Sequence, residues 1–345
     1  MHILSRVVPL ILFCAVFYFV YREIVFARAV SIPDEQYGEI QPVFSSGSIL
    51  LTGDIMLGRT VERIIDENDF VHPFVGITSV ISAHDVVVGN FEASIPKKHE
   101  VTPPFGMRFS VRREFMGELN ALGFDILSLA NNHTFDFGIS GYKNTLTECG
   151  QASLVCVGHP SSVSTSSLYV VEVGDVRLGI IFLHALFSEP TAGELKPLLR
   201  ALEEKSDAQI AYVHWGEEYQ KKHSSTQETL AHLLIDNGVD AVVGHHPHVI
   251  QDIEKYRGKP IFYSLGNLVF DQYFSEAVQE GYLLSINPGK YTLTYSLIPY
   301  VSTSTPSQPH LMSEVKKLEF AHEILPPAYF TENEITAQTF TVKRD

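Results

Sequence analysis

Basic residues are scarce in this chain. It has 25 lysines and arginines against 40 aspartates and glutamates, and a net charge of −15 over 345 residues. There is no basic stripe and no stretch of interleaved basic and aromatic residues, so the sequence argues against nucleic-acid binding. The same acidity gives no long-range attraction for an anionic polymer. An anionic substrate would have to be held locally, for example by a metal ion.

Internal repeats and low-complexity segments are also absent from the sequence. With 45% hydrophobic and 19% charged residues, the composition is that of a globular protein rather than a disordered one. The length suffices for one large domain or two small ones with a substantial core.

The N-terminus carries an apolar run at residues 7–21, which resumes at residues 24–27. A membrane-spanning helix needs about 20 apolar residues and a signal peptide about 7–15, and this run lies between the two. We predict that residues 1–29 form an uncleaved single-pass anchor. The alternative is a secreted protein whose signal is cleaved near Ala27-Arg28-Ala29. Both place the remaining chain outside the cytoplasm.

Cysteine is rare, with 3 residues in the chain. Cys14 lies in the apolar run and lacks the small preceding residue of a lipid-anchored cysteine, so we interpret it as a membrane residue. An extracytoplasmic location would permit a disulfide between Cys149 and Cys156. We expect two buried free thiols instead, because an isolated cysteine usually fills a small space in the core.

Strand and helix signals alternate after a polar linker at residues 30–47, which predicts an α/β layered fold. Strand-like runs on both sides of Gly174-Asp175 predict a hairpin. We expect the main domain at residues 48–300 and a C-terminal extension at residues 301–345, of which residues 311–345 are polar and peripheral. The predicted helices cover residues 59–65, 113–122, 142–148, 195–205 and 227–237.

Six apolar, strand-like runs each end in carboxylate, carboxamide or imidazole residues. In an open sheet, ligand sites form beyond the carboxyl ends of the strands. Packing does not explain why six separate runs would deliver such residues to one rim, so we predict a single site for divalent metal. The residues that end the runs are Asp54; Asn90 and Glu92; Asn132 and His133; His214; His245, His246 and His248; and Asn267.

A two-metal hydrolytic site needs a bridging carboxylate because its cations lie about 3.5–4 Å apart. Neutral imidazoles and carboxamides fill other positions, and carboxylates suit harder cations. His133, beside Asn132, would be free to donate a proton or stabilise an oxyanion, and we predict that both residues take part in catalysis. The predicted metal ligands are Asp54, Glu92, Asn132, His214, His246 and His248.

The motifs around these residues resemble the capsule-synthesis CapA family, which acts in bacterial poly-γ-glutamate production. That family is similar in turn to the calcineurin-like metallophosphoesterases, whose motifs run D-x-H, G-D, G-N-H, H and G-H-x-H. The resemblance covers about residues 48–300 and implies a metallophosphoesterase-like β-sandwich flanked by helices. It rests on motifs at residues 53–59, 90–92, 130–138, 214–219, 244–251 and 263–272.

Two departures separate this chain from the phosphoesterase pattern. Met56 stands where the first histidine ligand would be, and Glu92, near the bridging aspartate, is longer than aspartate. These changes would imply one metal, weaker metal binding or a site not used for phosphate esters. Elsewhere Asp54 matches the first aspartate and His214 the lone histidine, Asn132 and His133 match the Asn-His pair with Asn131 in place of its glycine, and His246 and His248 match the last motif.

Other polar residues would support the site. Asp136, Glu218 and Asp271 are expected to orient metal ligands. Arg59 and Arg108 are candidate clamps for an anion, or else solvated surface arginines. The full set predicted to orient ligands or contact substrate is Arg59, Asn90, Asp136, Glu218, His245 and Asn267.

The motif residues also have structural alternatives. Asp54 could cap a helix, Asn132-His133 could form a capped turn, and His214 could be a buried, hydrogen-bonded histidine. Gly266-Asn267 could be only a tight turn. The histidines treated as ordinary are His72, His84, His99, His159, His184, His223 and His232.

The function expected from this pattern is metal-dependent hydrolase or transferase chemistry in the synthesis of an anionic surface polymer such as poly-γ-glutamate, using one or two ions of Mn, Fe, Zn or Mg. Membrane subunits of a synthesis or export complex are the expected partners. One alternative, favoured by Met56, is a non-catalytic accessory subunit that binds the polymer or those partners. Another is an extracytoplasmic metallophosphoesterase unrelated to capsule.

Overall fold

The computed structural model describes residues 47–344. The predicted anchor at residues 1–29 and all but the last residue of the predicted linker lie outside the described residues. Within the described part of the chain, no helix combines the length and the apolar composition needed to cross a membrane.

The first sheet has nine strands, and its centre is parallel. Its order is β14-β13-β12-β1-β2-β3-β4, with β11 beside β1 and β15 beside β13. Strands β1 to β4 run parallel, whereas β12 is antiparallel to β1. The strands are β1 (Ile49–Ile55), β2 (Val86–Phe91), β3 (Ile126–Ser128), β4 (Val155–Val157), β11 (Asn267–Val269), β12 (Glu280–Pro288), β13 (Thr292–Val301), β14 (His310–Leu311) and β15 (Thr339–Lys343).

The second sheet has six strands in the order β5-β6-β7-β8-β10-β9. Its four central strands are parallel, and β5 and β9 form antiparallel edges. The predicted hairpin around Gly174-Asp175 is confirmed, since β5 and β6 flank it. The strands are β5 (Leu168–Val173), β6 (Val176–His184), β7 (Ala208–His214), β8 (Ala241–His245), β9 (Ile253–Tyr256) and β10 (Lys259–Phe262).

All of the predicted helices are present, with shifted ends. Two begin with capping boxes, at Thr191 and Ser224, which satisfy the free N–H groups of the first turn. The helices are α1 (Arg59–Glu67), α2 (Thr78–Ser82), α3 (Glu114–Leu122), α4 (Gly138–Gln151), α5 (Ala192–Glu203), α6 (Ser225–Ile235), α7 (Glu314–Ile324) and α8 (Glu332–Ala337).

Alternating side chains divide the core into layers. Ile49 and Leu51 of β1 point into an apolar cluster that they share with Ile180 and Tyr212 of the second sheet. Leu50, between them, packs with α1 and α3 on the opposite face. A third cluster joins the outer face of the second sheet to α5 and α6. The two sheets therefore pack face to face with helices outside both, which confirms the predicted α/β sandwich.

The C-terminal residues are part of the core, and the expectation that residues 311–345 are peripheral is wrong. Strand β15 pairs with β13 and places Phe340 opposite Tyr295. Phe320 and Phe330, from the helical part of this segment, join the cluster between the sheets. Their apolar side chains are spaced widely in a polar sequence, so composition alone hides their burial.

The expectation of free thiols is also wrong, because Cys149 and Cys156 form a disulfide. Cys149 lies in the last turn of α4 and Cys156 in β4, and the short turn between them brings the two Cα atoms to 6.1 Å. That separation lies in the normal range for a disulfide. The bond joins the edge strand of the first sheet to the helix that covers it.

Removing this disulfide is predicted to destabilise the fold by about 2–3 kcal/mol, because the unfolded chain regains the entropy of a short loop. The comparison is thermal unfolding of the Cys149→Ala/Cys156→Ala variant beside the parent, with Cys14→Ala as the matched cysteine control. A double variant as stable as the parent under oxidising conditions would show that the bond does not form.

Candidate metal centre

The carboxyl ends of strands from both sheets meet at one edge of the sandwich. In the first sheet Asp54 of β1 is in register with Asn90 of β2, and Glu92 follows two residues later. In the second sheet His214 of β7 is in register with His245 of β8. This edge therefore collects carboxylates from one sheet and imidazoles from the other, as expected at the ends of parallel strands.

Asp54 lies at the centre of this cluster and is fully buried. Its Oδ1 accepts a hydrogen bond from Asn90 Nδ2 at 2.8 Å, and its Oδ2 accepts one from the backbone N–H of His246 at 3.2 Å. Burial would raise the pKa of Asp54, but the imidazoles of His245 and His248, at 3.5 and 3.3 Å, bring the pKa well below its usual value. Asp54 is therefore ionised. Its side chain contacts Asn90 and the histidines and does not cap the following helix, whose N-cap residue is Gly58.

Glu92 is fully buried, and neither carboxylate oxygen has a hydrogen-bond partner among the described residues. Burial, with a contribution from Asp54, raises the pKa of Glu92 well above its usual value. A buried carboxylate without hydrogen-bond partners lowers the stability of the fold unless a positive charge lies close to it. Its ligand atoms lie within 4.8 Å of those of His214 and His246, and also of those of Asp54 and His248. These residues fit a divalent metal, and Glu92 is common to both groups.

Asn90 fixes the orientation of His214. The Asn90 amide nitrogen donates to Asp54 and lies 3.1 Å from Nδ1 of His214, which therefore acts as the acceptor. The proton of this imidazole then sits on Nε2, 2.8 Å from Oδ1 of Asn132. Burial lowers the pKa of His214 well below its usual value, so the ring is neutral. Neutral imidazole is the form that binds metal, and a metal ion at His214 would take the place of one of these two hydrogen bonds.

His246 and His248 both adopt left-handed backbone conformations, with φ values of 95° and 58°. Such strain is uncommon outside glycine and clusters at functional sites. Burial lowers the pKa of His246 to about 3. For His248, burial opposes protonation, but Glu92 and Asp54 raise its pKa to about 9. His248 Nδ1 lies 2.9 Å from Oδ1 of Asn267, and its Nε2 lies 3.7 Å from Glu92.

Asn267 does more than form a tight turn. Besides its contact with the His248 ring, its amide nitrogen donates to the carbonyl oxygens of His248 and Val278 and to Gln272. These contacts hold the strained His248 backbone and select the ring tautomer, as is typical of residues that orient metal ligands.

His133 is held at one side of the centre by Asp136 and Phe109. Its Nδ1 lies 2.9 Å from Asp136 Oδ2, and its ring stacks on Phe109 with centroids 3.8 Å apart. Its Nε2 lies 3.7 Å from Glu92. Asp136 also accepts the backbone N–H of Phe109 at 2.6 Å, so one carboxylate fixes both the ring and the residue that covers it.

Asn131, which stands in place of the family glycine, is a structural residue that the sequence analysis did not assign. Its amide nitrogen donates to Asn90 and to the Phe91 carbonyl, and its Oδ1 accepts the backbone N–H groups of His133 and Thr134. It thus forms the capped turn that presents Asn132 and His133. The doubled asparagine was the signal that one of the two serves the backbone.

Arg59 is neither a solvated arginine nor a free clamp for an anion. It is buried, its guanidinium forms a charge-assisted pair with Asp271, and it lies over the Phe109 ring at 4.5 Å. Asp271 therefore binds Arg59 rather than a metal ligand. Glu218, predicted to orient ligands, instead places a carboxylate oxygen within ligand distance of His246 and His248.

Met56 faces the apolar core on the helix side of the first sheet. It is fully buried there, and its sulfur accepts the backbone N–H of Gly58 at 3.1 Å. The position that would hold a histidine in the phosphoesterase pattern therefore belongs to the core. His184, by contrast, was not predicted to belong to the site. It is in register with His214 on the neighbouring strand, and the centroids of the two rings are 5.8 Å apart.

Close backbone approach at the centre requires glycine. A Cβ at Gly53 would lie 2.1 Å from the Gly266 carbonyl oxygen, and one at Gly244 would lie 2.0 Å from that of Tyr263. Both positions immediately precede site residues, Asp54 and His245. The glycines let neighbouring strand ends approach closely enough to share one site.

Comparison with known proteins supports a family assignment. Residues 48–272 match the family described as "Bacterial capsule synthesis protein PGA_cap". The "Capsule biosynthesis protein CapA" of Bacillus anthracis is 33% identical over 246 residues, with 65% of this chain and 60% of that protein covered. The "PGA biosynthesis protein CapA" of Bacillus subtilis is 32% identical over 241 residues, with 65% of this chain and 63% of that protein covered. The chain thus spans less than two thirds of both relatives.

Solved structures are more distant. A novel phosphatase from Mycoplasma pneumoniae has 16% identity and a TM-score of 0.45, with 87% of this chain and 95% of that chain covered. A putative 5'-nucleotidase from Staphylococcus aureus in complex with alpha-ketoglutarate has 14% identity and a TM-score of 0.48, with 77% and 53% covered.

Glu92→Gln is predicted to abolish metal uptake without unfolding the protein. Without metal, the melting temperature of the variant should equal or exceed that of the parent, because a buried carboxyl group without hydrogen-bond partners is replaced by a neutral amide. Elemental analysis after loading with Mn²⁺ or Zn²⁺ and gel filtration should find about one to two equivalents in the parent. The matched control is Glu100→Gln, which changes an exposed glutamate. Equal metal content in Glu92→Gln and the parent would contradict the assignment of Glu92 as a ligand.

Proposed function

Because the chain belongs to the bacterial capsule synthesis family that its residues 48–272 match, we propose that it acts in the synthesis of an anionic surface polymer of the poly-γ-glutamate type. The printed names of its two Bacillus relatives, capsule biosynthesis protein and PGA biosynthesis protein, support this polymer class. The action we propose is metal-dependent hydrolysis or transfer at a bond of that polymer or of its precursor.

The observation that carries this proposal is Glu92. A fully buried carboxyl group whose two oxygens have no hydrogen-bond partner among the described residues, within reach of His214, His246 and His248, supports a bound cation. Glu92 belongs to two overlapping ligand groups, so it would help to hold either of two ions. The donor set of carboxylates, imidazoles and a nearby carboxamide suits Mn, Fe or Zn, and Mg less well.

A divalent cation held here by Asp54, Glu92, His214, His246 and His248 would supply Lewis acidity toward a carbonyl or phosphoryl oxygen. The chain's own residues would orient the reacting groups. Asp136 holds the Nδ1 side of the His133 ring, which leaves Nε2 on the side of Glu92, where it would exchange a proton with the substrate. The Asn132 amide, beside His214, would hold a polar atom of the substrate.

A second candidate function is that of a non-catalytic subunit that binds the polymer or membrane proteins of a synthesis or export complex. The specific observation in its favour is Met56, which occupies the core where the phosphoesterase pattern has a ligand. A site with fewer ligands could bind a cation and an anionic chain without turning the substrate over.

The location we propose is outside the cytoplasm, with residues 1–29 as a single-pass membrane anchor. The Cys149–Cys156 disulfide supports this proposal, because such bonds persist mainly in oxidising compartments. Cleavage after residues 27–29 remains the alternative form of the same location.

His246→Ala is predicted to lower polymer output of the producing cell by about 10-fold or more, since the loss of a metal ligand disables the centre. His322→Ala, which changes a half-exposed histidine on α7, is the matched control and should leave output unchanged. Immunoblotting of both variants checks that the protein accumulates to the parent level.

Unchanged output in His246→Ala would exclude the catalytic function and leave the accessory one. Polymer loss in both variants would point to a scaffold requirement instead. Chelator-sensitive turnover of simple phosphate esters by the purified chain, together with normal polymer output in His246→Ala, would identify a phosphoesterase unrelated to capsule.

A C-terminal alkaline phosphatase fusion is predicted to be active, because that reporter folds only where its disulfides form. Deletion of residues 2–29 should abolish reporter activity, whereas a matched deletion of residues 30–40 in the linker should not. An inactive full-length fusion that accumulates normally would contradict the proposed location.

A further inference from the structure

Arg108 is an exposed arginine whose guanidinium is held in a fixed orientation. Its Nε donates to the carbonyl oxygen of Asp136 at 2.8 Å, and its planar group lies over the Phe137 ring at 4.6 Å. No residue in the described part of the chain accepts a hydrogen bond from its two terminal amino groups. These two donors are therefore available to a ligand without a loss of side-chain order.

The position of Arg108 places this charge beside the metal centre. Asp136, whose carbonyl it binds, holds the His133 ring through its carboxylate. The next residue, Phe109, stacks on that same ring. Arg108 is thus the neighbour in sequence of Phe109, whose ring stacks on His133, the side chain proposed to donate a proton.

The neighbouring arginines carry no comparable free charge. Arg59, on the other side of Phe109, is paired with Asp271. Arg112 is paired with Glu62 and Asp66. In a chain with a net charge of −15, an anionic substrate depends on such a local cation.

We propose that Arg108 is a specificity-determining residue that binds a carboxylate of the substrate next to the bond on which the metal centre acts. The inference rests on the proposed function. A guanidinium matches a carboxylate with two parallel hydrogen bonds, and a γ-linked glutamyl chain carries one free carboxylate on every unit.

The residues flanking Arg108 fit the rest of such a chain. Phe105 and Met107 expose 95% and 65% of their surface on the same loop. A γ-glutamyl unit has two methylene groups between its carboxylate-bearing carbon and its amide, and these apolar side chains offer them a surface. A fully solvated anion such as free phosphate would gain nothing from that surface.

The test is binding of a fluorescent γ-glutamyl oligomer to the full-length, Mn²⁺-loaded chain in detergent, measured by polarisation. Arg108→Gln should weaken binding about 10-fold, and Arg108→Lys should recover only part of the loss, because an ammonium cannot form the paired contact. Arg113→Gln is the matched control, since it removes an exposed positive charge a few residues away. An oligomer with its carboxylates converted to amides should bind weakly, and equally to the parent and Arg108→Gln.

Parent-like binding by Arg108→Gln, with the oligomer bound tightly, would overturn the role of Arg108 while leaving the proposed function intact. Equal weakening by Arg108→Gln and Arg113→Gln would also overturn it, in favour of a general charge effect. A metal-loaded parent that binds no oligomer would overturn both. Inorganic phosphate competing equally well in the parent and in Arg108→Gln would assign phosphate to the metal centre rather than to Arg108.

Discussion

The burial of two carboxylates at one edge of the sandwich is the constraint on which the remaining arrangement depends. Asp54 and Glu92 lie on both sides of the His248 ring and are fully withdrawn from water. Asp54 is balanced by imidazoles and a backbone N–H, whereas Glu92 has two imidazoles at 3.7 Å but no hydrogen-bond partner among the described residues. Such a pair is costly in a closed core. The strained histidine backbones and the glycines at close strand contacts are needed because the balancing groups have to reach these two carboxylates.

The fold supplies the balancing groups through pairs of neighbouring strand ends. Asn90 links β1 to the second sheet, since its amide contacts both Asp54 and His214. Asn267 links β11 to the His248 loop in the same way. On the open side, Phe109 lies between His133 and Arg59, and Asp271 neutralises that arginine. Asp54, His214 and His248 are thus each held by a residue from a different segment, so this part of the site forms only when both sheets are packed.

How much of this was predictable depends on whether a residue's role is local. Runs of apolar residues that end in Asp54, Glu92, His214 and the His245–His248 cluster predicted the shared rim, because parallel strands place their carboxyl ends together. The contacts of Asn131 with Asn90 and Phe91 and the pairing of Arg59 with Asp271 were not predictable, since they join segments far apart in the sequence. The Cys149–Cys156 disulfide and the packing of Phe340 were wrongly predicted for another reason. Neither spacing nor composition shows which surface a segment covers.

The loop after β1 shows how the chain departs from the phosphoesterase pattern at the level of structure. Met56 turns into the core and accepts the Gly58 N–H, and this leads directly to the left-handed Arg59 at the start of α1. Arg59 in turn holds Asp271, in the segment that follows β11, while its guanidinium lies over Phe109. In the phosphoesterase pattern this loop carries a metal ligand. Here it carries Arg59, which contacts Asp271 and Phe109. The two candidate ligand groups that share Glu92 do not include this loop beyond Asp54, so a methionine at position 56 leaves both groups intact.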